Sequence, residues 1–168
     1  LGYQDEDGYL CTYLDKDLIT TEDKDLFNWN VWGRKYILWA LVEAAMLLDD
    51  EHVLNCAVKL LDHLIKQINE QNLRVKDPGV IDGMPASSIL KPLLITYRLT
   101  ANKKYLDLAK TIVANMDRED GERPNLIRNA LSGVAPAHWY DEKDGWCAKA
   151  YEMMSCFDGF VEYYRITG

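Results

Sequence analysis

The chain has 168 residues, 48% of them hydrophobic, which is enough for one domain with a real core and excludes wholesale disorder. Nineteen Lys and Arg against 27 Asp and Glu leave a net charge of −8, the wrong balance for a face that binds nucleic-acid phosphates. No apolar stretch approaches the roughly 18–20 residues of a membrane span, and no charged-then-apolar leader opens the chain.

The first residue is Leu rather than Met, which reads as a processed chain or a fragment. Residues 1–30 are acidic, rich in Tyr and without periodicity. They are expected to be irregular, with a short helix near residues 24–29. From 34 to 48, apolar residues recur at Ile37, Leu38, Leu41, Ala44, Ala45 and Leu48, one face of a helix. Asp49 and Asp50 interrupt the pattern and predict a tight turn with Asp50 as N-cap. A second helix is predicted over 51–69, with Val53, Leu54, Ala57, Leu60, Leu61, Leu64 and Ile68 as its apolar face. Residues 71–84 carry Asp-Pro-Gly and Asp-Gly and read as loop. Helices follow over 86–99, 103–116 and, after Pro124, 125–131. Residues 132–145 read as loop, and a last helix spans 146–164. No alternating strand pattern is present, so the class is all-α.

The chain repeats itself. A shift of 52 positions carries Ile37 onto Ile89, Leu38 onto Leu90, Leu41 onto Leu93, Leu54 onto Leu106 and Ala57 onto Ala109. A further shift of 67 carries Tyr97-Arg98-Leu99-Thr100-Ala101 onto Tyr164-Arg165-Ile166-Thr167-Gly168. Two helical hairpins and the first arm of a third are therefore expected. Connections are tight within hairpins and long between them. That asymmetry fits part of an (α/α) toroid, in which long loops before the inner helices build the rim of a funnel. The segments to examine are then 29–36, 84–88 and 146–152.

Ten Tyr and five Trp stand against three Phe. Rings with a polar tip suit a pocket that stacks sugars, and they serve equally as core residues. The four cysteines form no C-x-x-C pair, so the usual zinc and redox spacings are absent. Cys56 falls on the apolar face of its helix and is expected to be a buried thiol.

Gln4-Asp5-Glu6-Asp7-Gly8-Tyr9-Leu10 resembles the Q-x-x-D-G-Y-L opening of glycoside hydrolase family 127, the group of the β-L-arabinofuranosidases. Residues 36–45 are similar to the first inner helix of that family. Residues 93–109 are similar to its L-x-x-L-Y-R-x-T-G-x-x-x-Y-L-x-x-A hairpin, and 150–168 to a later inner helix. The resemblance implies a six-hairpin glycosidase of a divergent branch, acting on plant-derived oligosaccharides. It implies a bacterial enzyme of periplasmic or secreted location. Its partners would be a carbohydrate substrate, the remainder of its own toroid and β-sandwich domains. On this reading residues 1–168 are part of a catalytic domain, with 1–30 an irregular segment and 31–168 helical hairpins. The family's chemistry uses a cysteine nucleophile on a zinc held by an E-x-C and a Cys-Cys pair. This chain has neither pattern, so no metal ligand is assigned, and zinc belongs to the family rather than to these residues. A non-catalytic helical module binding a glycan or protein is the alternative.

Candidate residues follow from the rim. Trp32, Arg34 and Tyr36 open the first inner helix, where Arg34 would hold a sugar hydroxyl or a uronate carboxylate, or pair with an acid. Met84 and Ser87 take the corresponding place in the second hairpin. Trp146, Lys149 and Glu152 flank the third. Glu152, in a Tyr-Met-Met run, is the candidate catalytic carboxyl, or else a carboxylate bonded to a neighbouring base. His138 is the candidate among the histidines. Arg34, Ser87, Trp146 and Glu152 are expected to share one cavity.

Overall fold

In the computed structural model, residues 2–14, 19, 29–140 and 149–168 are described. The helices are α1 (Asn30–Leu48), α2 (Glu51–Glu70), α3 (Met84–Ser87), α4 (Leu90–Thr100), α5 (Lys103–Met116), α6 (Leu126–Leu131) and α7 (Ala150–Thr167), and no strand occurs among the described residues. The short helix expected before residue 29 lies almost wholly outside the described residues, as does the predicted start of the last helix at 146–148.

The repeat is visible in the turns as well as in the helices. Asp49 ends α1 in the left-handed region, with φ 51°, and extended Asp50 follows it. Fifty-two residues on, Ala101 ends α4 with φ 53° and extended Asn102 follows. Asp50 accepts from the N–H groups of His52 and Val53, and Asn102 accepts from Lys104, so each second arm has a side-chain N-cap. The left-handed residue recurs at Gly168, with φ 78°, where the amide donates to Tyr164 as Ala101 donates to Tyr97.

Helix α4 is central. It packs between α1 and α7 and against α5, while α2 covers the other side of α1. The first arms α1, α4 and α7 thus form an inner row, and α2 and α5 lie behind it. The core runs between the rows and includes Leu38, Val42, Leu60, Leu64, Leu93, Leu94, Tyr105 and Ile112. Gly159 lets α7 close on α4, since a Cβ there would lie 2.9 Å from that of Leu90.

The third helix differs from the reading over 86–99. It is broken at Ser88 and Ile89 into α3 and α4. Pro92 is the physical cause, because it has no N–H to offer the Ser88 carbonyl and its ring crowds that oxygen. The break leaves α3 as a separate plug against α1 and α7. Leu48, expected on the buried face, is 64% exposed where α1 gives way to the turn.

Candidate functional site

Positions 32, 35, 36 and 39 fall at i, i+3, i+4 and i+7 and therefore share one face of α1. On that face Trp32 meets Tyr36 edge-on, with centroids 5.1 Å apart, and Trp39 stacks beside Tyr36. Tyr151, in the first turn of α7, closes the group, its ring 5.5 Å from Trp32 and its hydroxyl 2.5 Å from that of Tyr36. Burial and this hydrogen bond push the Tyr36 phenol up to about 12. Beside these rings lies a cavity of about 610 Å³, lined by Tyr36, Trp39, Tyr151, Met154, Ser155 and Asp158 among others. Asp158 is held by Lys91 of α4 at 2.7 Å, and the Lys91 ammonium lies over the Trp39 ring at 4.4 Å. The cavity thus has aromatic faces and one carboxylate pinned at its side.

Beneath the rings lie buried polar groups. Lys35 is 1% exposed. Burial lowers its ammonium to about 8, against the opposing charges of α7. Glu152 is buried on the first turn of α7, 3.7 Å from the half-exposed Lys149. Its charge acts on both Lys35 and Tyr36. Met84 is fully buried, and its carbonyl accepts from the Cys156 thiol at 3.2 Å. Ser87 is buried in α3, where that plug meets α1 and α7.

The structure therefore gathers Trp32, Tyr36, Met84, Ser87, Lys149 and Glu152 at the junction of α1, α3 and α7. Trp146 lies outside the described residues. His138 is exposed on a short helical turn over 136–138 and takes no part in this junction. Arg34 departs from the expected convergence. It is fully buried on the opposite side of α1, donating to Gln67 Oε1 at 2.9 Å, lying 3.3 Å from His63 Nδ1 and 4.6 Å over the Tyr9 ring. His63 Nε2 in turn faces Asp7 at 3.6 Å, so the acidic loop and α2 are tied together through this guanidinium. His63 is thus largely buried, its side chain only 12% exposed. Gly8 of the same loop has φ 95°, and a Cβ there would meet the Lys59 carbonyl oxygen at 2.3 Å. The opening motif is thus a clasp on α2.

Sequence reasoning missed Lys35, Trp39, Tyr151, Lys91 and Asp158. The legible signal was W-x-x-K-Y-x-x-W, aromatic residues and one lysine on a single helical face.

Helical hairpins whose first arms form an inner row, with an aromatic cleft on that row, define the class: part of an (α/α) toroid. A family model described as the β-L-arabinofuranosidase GH127 catalytic domain matches residues 2–168, and the chain belongs to that family, one of glycoside hydrolases. Neither a comparison with curated proteins nor one with solved structures returned a match.

The zinc site of the family can be tested against these side chains. Among the described residues, no three His, Cys, Asp or Glu side chains are grouped to hold a metal. Cys156 donates to the Met84 carbonyl, and burial pushes its thiol far above the usual range. The described residues do not fit a zinc–thiolate centre. No helix among them is long and apolar enough to cross a membrane.

Proposed function

We propose that this chain forms the saccharide-binding wall of a glycoside hydrolase that acts on plant-derived oligosaccharides. The observation that carries the reading is the cavity between α1 and α7, where Tyr36, Trp39 and Tyr151 offer ring surface and Asp158 and Ser155 offer hydrogen-bonding oxygens. A pyranose or furanose ring has apolar C–H faces and a polar rim, and a site of flat rings edged by a few fixed polar groups matches both. On this reading residues 31–168 supply part of a catalytic toroid, and Glu152, buried on the first turn of α7 next to the cleft residue Tyr151, is the candidate catalytic carboxyl. A helical module without catalysis shares the binding step and lacks the turnover.

The binding step is tested by Trp39→Ala. Trp39 is partly exposed, so its loss removes stacking surface from the cleft without opening the centre of the core. The expected result is at least about tenfold weaker binding of arabinotriose by calorimetric titration, since an aromatic face of this size contributes more than about 1 kcal/mol. Equal affinity in the wild-type and substituted proteins would remove the cleft from the function.

A further inference from the structure

The aromatic wall rests on a buried cation that, among the described residues, no carboxylate approaches to ion-pairing distance. Among the described residues the Lys35 Nζ has no hydrogen-bond partner. It lies 4.0 Å from the centroid of the Trp32 ring, 4.4 Å from that of Tyr36 and 5.9 Å from that of Trp39. The groups that act on it are Glu152, Asp158 and the Cys156 thiol from α7, and Lys91 from α4. The plug α3 (Met84–Ser87) carries no ionisable side chain. Asp158 is committed to Lys91, and Glu152 to Lys149. The rings therefore stand in for a counter-ion, and an ammonium desolvated on ring faces attracts them more strongly than one in water.

We propose that Lys35 is a positioning residue for saccharide binding: its ammonium, lying over the ring faces of both Trp32 and Tyr36, fixes the Tyr36 ring against which the sugar stacks and the Trp32 ring packed edge-on beside it. This rests on the cleft being the saccharide site. The charge, and not the length of the side chain, is the active element. A methionine would fill the same space with no desolvation cost, but it would leave the rings free to turn. Protonation then becomes a control on the wall. With the ammonium lowered to about 8, this contact with the rings is present at neutral pH and is lost as pH rises through that value.

The experiment follows arabinotriose binding and tryptophan emission from about pH 6 to about pH 10 in the wild-type protein, Lys35→Arg and Lys35→Met. Wild-type affinity is expected to fall about fivefold or more as pH passes about 8, with a change in emission at the same midpoint. Lys35→Arg should bind with no such fall, because its guanidinium stays charged throughout. Lys35→Met should bind weakly at every pH and melt no lower than wild type at pH 7, since an unneutralised buried charge has been removed. A wild-type affinity that is flat across pH 8, or a fall that persists in Lys35→Arg, overturns the proposal. That comparison stands even where Lys35→Met does not fold. Binding without the pH step sinks the role of Lys35 alone. No binding at any pH, with the emission step intact, instead sinks the cleft as the saccharide site.

Discussion

Arg34→Ala is expected to lower the stability of the fold by about 3–5 kcal/mol, measured by urea denaturation near neutral pH. The guanidinium is fully buried and ties three parts of the chain together: α1 through its backbone, α2 through Gln67 and His63, and the acidic opening loop through Tyr9. Alanine would leave a cavity and remove the charge-assisted hydrogen bond from the guanidinium to the Gln67 oxygen. Burial also lowers the Arg34 pKa, a sign that the environment strains even this base. Arabinotriose affinity measured on the folded fraction should change little. A substrate-binding Arg34, as the position of the residue in the sequence first suggests, predicts the reverse: a stability change below about 1 kcal/mol and a marked loss of affinity.

Glu152→Gln is expected to lower turnover on aryl glycosides by on the order of a hundredfold or more in the active protein. Glutamine keeps the shape of the side chain and removes both its charge and its transferable proton. Glu152 is 6% exposed on the first turn of α7, next to the cleft residue Tyr151, and its charge acts on Tyr36. Glu51→Gln is the control. That residue opens the outer helix α2, where its carboxylate offers the helix dipole at most about 1 kcal/mol of stability and nothing to the cleft. A second control, Lys149→Met, removes the ion pair at 3.7 Å but leaves the carboxyl in place. Should Glu152→Gln and Lys149→Met reduce turnover equally, the role of Glu152 is to hold Lys149 and not to act on substrate.

The hairpins were legible in the sequence because their periodicity, caps and repeat agree. Asp50 caps α2 as its place before an apolar run requires, and the same geometry returns at Asn102. The site was legible only in part, and α1 shows why. This helix is buried on several sides, so its apolar residues do not single out one inward face. Arg34 and Lys35 are consecutive and hence about 100° apart around the axis. That rotation sends Arg34 toward α2 and Lys35 toward the α7 side, and periodicity cannot say which of the two meets the funnel. Tyr151 was hidden for another reason. Its partners Trp32 and Tyr36 lie more than a hundred residues away, and only the packing of α1 and α7 around α4 brings them together. The broken third helix was readable in principle from Pro92, whose effect falls four residues before it.

The cleft as a saccharide site is tested most directly by the indole N–H signals of the protein during titration with arabinotriose. Trp39 lines the cleft, its Nε1 donating to Glu43 at 3.0 Å, and Trp32 packs edge-on against the lining rings Tyr36 and Tyr151, so stacking should perturb both signals. Trp139 donates to the Val134 carbonyl at 2.7 Å in a separate loop and serves as the internal reference. Saturable shifts at Trp32 and Trp39 with Trp139 unmoved are the predicted result. Saturation that moves Trp139 and leaves the two α1 indoles in place would put the sugar elsewhere and contradict the account.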